Sequence, residues 1–181
     1  MKNKGIVPVP ALLFVLLLFT TATGQAQAEA LRGGLGYFLG GAGFVIESGE
    51  GTVIASTGGG GHSLSNNWIL GGEGHSVFGP DNAGGYGFLN VGYAIGSVRN
   101  FLVYGLLGVG GGALTRESDP TVSRCALLNP AAGIDYLIYT SASGGFLVGL
   151  RTGCVFTVYS DTWQWAQPYA RLVLGGFGFG E

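Results

Sequence analysis

Beyond residue 28 the chain is cut by turn-forming residues into eight apolar, glycine-rich pieces, none of them long enough to cross a bilayer as a helix. The longest stretch without a charge near its middle is Asn100 to Thr115, "NFLVYGLLGVGGGALT". It holds about a dozen apolar or glycine residues in succession, short of the ~20 that a spanning helix needs. Its four glycines between Gly108 and Gly112 would weaken a helix further, by roughly 1 kcal/mol each relative to alanine. A tilted strand crosses in ~9–11 residues, and the pieces have about that length.

The first 28 residues have a different character. Lys2 and Lys4 precede an uncharged apolar run from Ala11 to Phe19, and small and polar residues then lead to Ala26-Gln27-Ala28. That order of charged, apolar and small-residue regions predicts a secretory signal peptide over 1–28, with an apolar run too short to span. The mature domain is then 29–181, enough for one core. Both lysines lie in the leader, so the remainder has six arginines against ten acids, a formal charge of −4. No basic footprint for nucleic acid is present. Charged residues are 10% of the chain against a usual ~25%, and the 37 glycines are interleaved with Tyr, Phe, Leu and Val rather than with the residues of disordered segments.

Turn signals place the eight pieces at Arg32 to Ile46, Thr52 to Ser65, Trp68 to Phe78, Gly85 to Val98, Phe101 to Leu114, Val122 to Tyr139, Gly145 to Tyr159 and Pro168 to Phe179. The connections alternate. Those after the second, fourth and sixth pieces are tight: Asn66-Asn67, Arg99-Asn100, and Thr140 to Ser143. Those after the first, third, fifth and seventh, "ESGEG", "GPDNAG", "TRESDP" and "SDTWQWAQ", read as longer and hold most of the charge. An even strand count with short turns at one end and loops at the other is the pattern of a barrel that spans an outer membrane.

Side-chain alternation tests this independently, because successive residues of a strand point to opposite faces. In the sixth piece Ala126, Leu128, Pro130, Ala132, Ile134, Tyr136 and Ile138 share one face, and Asn129, Gly133 and Asp135 the other. The seventh sets Phe146, Val148, Leu150, Cys154, Phe156 and Val158 against Arg151 and Thr157; the third sets Trp68, Leu70 and Phe78 against Glu73 and His75. In the eighth, Arg171 lies with Tyr169, Val173 and Phe177, opposite Leu172 and Leu174. Glycine blurs the first, second, fourth and fifth. An interior of eight strands is just wide enough to be filled by side chains, so its polar groups must satisfy one another. Glu73, His75 and Asp135 are therefore expected to face Arg32, Arg151 and Arg171 across the lumen, with glycines leaving room and letting the sheet curve.

In these features, and in the closing "LVLGGFGFGE", the chain resembles the small eight-stranded outer-membrane barrels of the OmpA/OmpX type over the whole mature length. Members of that group finish on an aromatic residue, whereas here Phe179 is followed by Gly180 and Glu181. Some barrels of this size modify lipid A with His and Ser or an acid on the outer face. "GHSLS" and "GEGHS" offer His62, Ser63, Ser65, Glu73, His75 and Ser76, but neighbours on a strand face opposite ways, and Glu73 with His75 lacks a nucleophile. Two histidines and two cysteines on separate strands have no metal-ligand spacing, and no cofactor is expected. Parity places Cys125 and Cys154 on opposite faces, unless a bulge at Pro130 shifts the register and permits a disulfide. Trp163 and Trp165 fall in the last loop, read as an interfacial girdle or as a sticky contact.

The sequence reading is an all-β, eight-stranded antiparallel up-and-down transmembrane barrel with a filled polar lumen and a structural or surface-contact role. Its expected partners are outer-membrane lipid and a possible external ligand at the loops, with the chain as a monomer. A soluble secreted barrel that binds an apolar ligand, periplasmic or extracellular, and a lipid-modifying outer-membrane enzyme are the alternatives.

Overall fold

The computed structural model describes residues 32–47, 50–80, 82–98, 100–116, 122–160 and 165–179. The signal-peptide expectation and Trp163 lie outside them. Eight strands follow in order: β1 (Gly33–Glu47), β2 (Glu50–Ser65), β3 (Trp68–Phe78), β4 (Asn82–Val98), β5 (Phe101–Arg116), β6 (Ser123–Tyr139), β7 (Gly144–Ser160) and β8 (Ala166–Phe179). Each pairs antiparallel with the next, and β1 pairs with β8, so the sheet closes into a barrel with no free edge. Stepping between paired residues once around from Gly36, through Gly61, Gly72, Leu89, Val109, Leu128, Phe156 and Ala166, returns to β1 at Ile46, a stagger of ten residues. Eight strands with that stagger tilt by roughly 40° from the barrel axis.

The β2–β3 hairpin shows how local chemistry sets the register. Asn66 and Asn67 both take positive φ, 50° and 68°, the conformation that asparagine tolerates and that a two-residue hairpin turn requires. Ser65 is thereby paired with Trp68, and Glu73 and His75 point inward.

Large apolar residues cover the outside. Phe38 and Leu89 are 76% and 78% exposed, each with a glycine beside it in the sheet, Gly59 and Gly72. On β3 both end residues, Trp68 and Phe78, point outward; ten residues apart, they stand about 25 Å apart along the axis, the height of the apolar band of an outer-membrane barrel. Trp68 packs edge-on against Tyr93, and Phe101 lies tilted against Tyr136, forming an aromatic row at the end of the barrel where β1 begins and β8 ends. Outward hydroxyls turn back on the sheet: Ser63 donates to Leu70 O, Thr115 to Ala83 O and Thr152 to Tyr169 O, each at 3.0 Å. A hydroxyl satisfied by its own strand pair is what a hydrocarbon surrounding demands.

The connections are less sorted than the sequence reading expected. β1 ends at Glu47 and β2 begins at Glu50, because the ladder runs on through Ile46–Gly51 and Glu47–Glu50 past the last apolar residues. The longer connections that remain at that end join β5 to β6 and β7 to β8. A bulge interrupts β6 against β7, at Ala126/Leu127 rather than at Pro130.

Candidate functional site

The interior is layered. At the end with the tight turns it is closed by Leu35, Leu64, Ile69, Leu102, Leu137, Leu147 and Phe177, and at the other by Val45, Ile54, Val77, Leu114, Val155 and Trp165, all buried. Between these apolar layers lies a band of polar groups, and the inward glycines make room for it. Tyr37 stands beside Gly60 and Gly175, His62 beside Gly71, His75 beside Gly58, Tyr86 beside Gly112, Tyr104 beside Gly133 and Asp135 beside Gly149 in the ladder. A Cβ on Gly133 would overlap the Tyr104 ring, and one on Gly149 would overlap Asp135 Oδ1. Small residues next to large ones are how a narrow barrel packs ten or more bulky groups at close density.

Two buried arginines organise the band. Arg151 on β7 and Arg171 on β8 are direct cross-strand partners, 1% and 0% exposed, so two guanidinium groups leave adjacent backbone positions into the same small space. Arg151 donates to Glu73 Oε2 at 2.6 Å, a cross-lumen pair joining β7 to β3. It also donates to Tyr104 OH at 3.1 Å, which donates on to Asp135 Oδ1 at 3.3 Å. Its guanidinium carbon lies 4.6 Å from the centre of the Tyr37 ring, and Tyr37 OH donates to Glu73 Oε2 at 3.0 Å.

Arg171 repeats the motif without a carboxylate. It donates to Tyr86 OH at 2.6 Å, which donates to Gln167 Oε1 at 3.1 Å, and to Ser56 Oγ at 3.0 Å, while its guanidinium stacks 3.8 Å from the Tyr169 ring centre. His75 joins the two halves: its Nε2 is 3.2 Å from Glu73 Oε1 and 3.4 Å from Arg171 Nη1. At the other edge His62 Nε2 meets Tyr37 OH at 2.9 Å and Asn90 Nδ2 at 3.1 Å. A buried ion pair of this kind is held by its hydrogen bonds, since the attraction alone barely repays the loss of hydration.

No protein-family model matches the chain, and no curated protein is significantly similar to it. Solved structures are. The Neisserial surface protein A (NspA) superposes with a TM-score of 0.60 at 10% identity, covering 80% of this chain and 96% of its own. The attachment invasion locus protein Ail of Yersinia pestis, solved with the heparin analogue sucrose octasulfate, superposes with a TM-score of 0.57 at 15% identity, covering 81% of this chain and 100% of its own. A further structure of Ail gives 0.54 over the same shares. The fold is that of the small eight-stranded outer-membrane barrels.

Within this fold Glu73, His75, Asp135, Arg151 and Arg171 all point into the lumen. Two placements differ from the sequence reading. Arg32 is exposed and donates to Asn66 Oδ1 at 3.2 Å; it precedes β1 and has the parity of the outward Gly36 and Phe38, so it cannot reach the interior. Trp165 keeps the parity of Gln167, Tyr169 and Arg171, and is folded over the end of the lumen, 4% exposed, with its ring 6.4 Å from that of Tyr86. Tyr159, by contrast, is 67% exposed at the same end.

The groups that the sequence reading missed are Tyr37, His62, Tyr86, Tyr104, Asn90, Gln167 and Ser56, all buried. His62 was within reach: the Asn66-Asn67 turn fixes Ser65 opposite Trp68, which places His62 on the face of Glu73. Ser63 and Ser76 are outward while His62 and His75 are inward, so neither motif assembles a nucleophile with its base. Cys125 donates to Gly112 O, and its ladder partner is Ser160, whereas that of Cys154 is Pro168; no disulfide joins the two thiols. No cluster of His, Cys, Asp and Glu suited to a metal occurs among the described residues.

Proposed function

We propose that this protein is an exported outer-membrane barrel with a structural and surface-contact role and no catalytic one. The observation that carries the reading is an inside-out distribution of side chains, with large apolar residues outward over about 25 Å of height and charged groups in the closed interior. A soluble barrel that holds an apolar ligand needs the reverse, an apolar cavity under a polar surface. A lipid-modifying enzyme needs its catalytic groups on the lipid face, and His62 and His75 point away from it.

Outer-membrane lipid is then the permanent partner of a monomer, and an external ligand meets the connections that follow the odd-numbered strands. Ail holds a polyanion. In the sequence, those connections and the strand residues flanking them hold Glu47, Glu50, Asp81, Glu117, Asp119 and Asp161 against Arg116 and Arg124, so a neutral or cationic surface is the fitting partner and a polyanion is repelled. Fractionation of cells expressing the full chain, followed by gel mobility of the detergent extract with and without boiling, tests the reading. Outer-membrane recovery with a heat-dependent shift is the expected result. A protein that stays soluble without detergent would overturn it. Titration of the folded barrel with sucrose octasulfate at physiological salt is expected to show no binding; saturable binding would remove the charge argument and leave the barrel assignment standing.

A further inference from the structure

His75 Nε2 stands within hydrogen-bonding reach of two groups that want opposite things from it. Glu73 Oε1, at 3.2 Å, can only accept, and Arg171 Nη1, at 3.4 Å, can only donate. One ring nitrogen cannot serve both. The other, Nδ1, has no partner: it lies against the bare backbone of Gly58, where a Cβ would come within 2.6 Å of it. A proton on Nε2 satisfies Glu73 and turns an N–H toward Arg171. A proton on Nδ1 satisfies Arg171, abandons Glu73 and buries an N–H without an acceptor, the costlier fault.

We propose that His75 is a pH-operated joint between the two halves of the lumen network. In the neutral ring, Nε2–H donates to Glu73 and Arg171 tolerates a poor neighbour, held by Ser56, Tyr86 and the Tyr169 ring. The protonated ring keeps the bond to Glu73, now between opposite charges, and becomes a third cation beside Arg171 and Arg151. Everything else around it is already committed. On β3, Glu73 also serves Arg151 of β7 and Tyr37 of β1; on β4, Tyr86 and Phe88 flank the ring at 5.2 and 6.2 Å between centres; on β2, Gly58 offers only backbone. Asp135 on β6 is reached from Arg151 only through Tyr104 of β5. No carboxylate is left for Arg171, so acidification separates the β8 side of the network from β3 and leaves the Glu73–Arg151 pair of β3 and β7 in place.

Histidine is the side chain whose unperturbed charge change falls between pH 5 and 8. His62 is the internal control, because its contacts are the neutral Tyr37 hydroxyl and Asn90 amide. The experiment follows the midpoint of heat-dependent gel mobility for the full-length protein folded in lipid vesicles, from pH 8 to pH 5.5, for the wild type, H75Q and H62Q. The wild type and H62Q are expected to lose roughly 3 °C or more on acidification, a shift that a chain of this size resolves, while H75Q stays flat. A wild-type midpoint independent of pH overturns the proposal, as does a drop that survives in H75Q or disappears in H62Q. Nitrogen-15 NMR of the wild-type histidine rings decides the matter if H75Q does not fold. One ring is expected to be protonated at Nε2 alone at pH 8 and at both nitrogens at low pH, with the backbone signals of Arg171 moving in step and those of Arg151 unmoved. Rings that stay neutral, or an Arg171 signal indifferent to the change, would sink the idea.

Discussion

Arg151 and Arg171 are the residues on which the interior turns, because two guanidiniums on paired backbone positions repel unless each is separately satisfied. Glu73 satisfies one and a set of hydroxyls and a ring face satisfies the other. Removing Glu73 alone should therefore cost more than removing the pair. Glu73→Gln is expected to lower unfolding stability in vesicles by about 3–5 kcal/mol, the penalty for stranding a buried charge, whereas Glu73→Gln with Arg151→Met should recover part of the loss. Denaturant titration of the two variants against the wild type checks this; equal losses would mean that the pair is not coupled. Glycine gives a second contrast at the same scale. Gly133→Ala must displace the Tyr104 ring and is expected to cost about 1–3 kcal/mol, while Gly36→Ala, which meets nothing within 4 Å on the outer face, should be neutral or mildly stabilising in the same titration.

Among the elements, β3 was the most legible in the sequence, and its bounds are the ones observed, Trp68–Phe78. Turn chemistry brackets it on both sides, and its two ionisable residues fall on one face. Strands β6, β7 and β8 were legible for a related reason, since bulky residues alternate with small or polar ones all along them. On β1, β2, β4 and β5 glycine occupies both faces, and a residue without a side chain says nothing about which way its neighbours point. That is why the tyrosines of β1, β4 and β5 went unread although they carry half of the lumen network. Arg32 and Trp165 failed differently: each lies one residue outside a strand, Arg32 at the head of a piece whose glycines hide its parity and Trp165 before the piece in which counting began. The lipid face can be tested at this scale. Leu89→Arg, near mid-height on β4, is expected to cost about 2–4 kcal/mol of folding stability in vesicles, and Phe78→Arg, at the edge of the belt, about 0–1 kcal/mol. Equal costs at the two depths would deny that the outward face meets hydrocarbon.

For the whole molecule, the layering of the interior decides whether the barrel can conduct. Eight strands leave an interior that side chains fill, and here the filling is of two kinds, a polar band between two apolar layers. Water can hydrate the band only by first passing a layer of buried side chains, Leu, Ile and Phe at the tight-turn end and Val, Ile, Leu and Trp165 with Asn82 and Ser123 at the other, and the polar groups of the band mostly serve one another. Disturbing the band alone therefore opens nothing. Purified protein in planar bilayers is expected to show no discrete conductance steps, and Glu73→Gln should show none either although it destabilises the fold, because both apolar layers remain. Conductance should appear only when a layer is breached, for example by Leu102→Ser with Leu137→Ser and Leu147→Ser at the end with the tight turns, combined with Glu73→Gln. Steps in the wild type would place a continuous aqueous path through residues that are packed against one another here, and would move the role of the protein from the cell surface to its lumen.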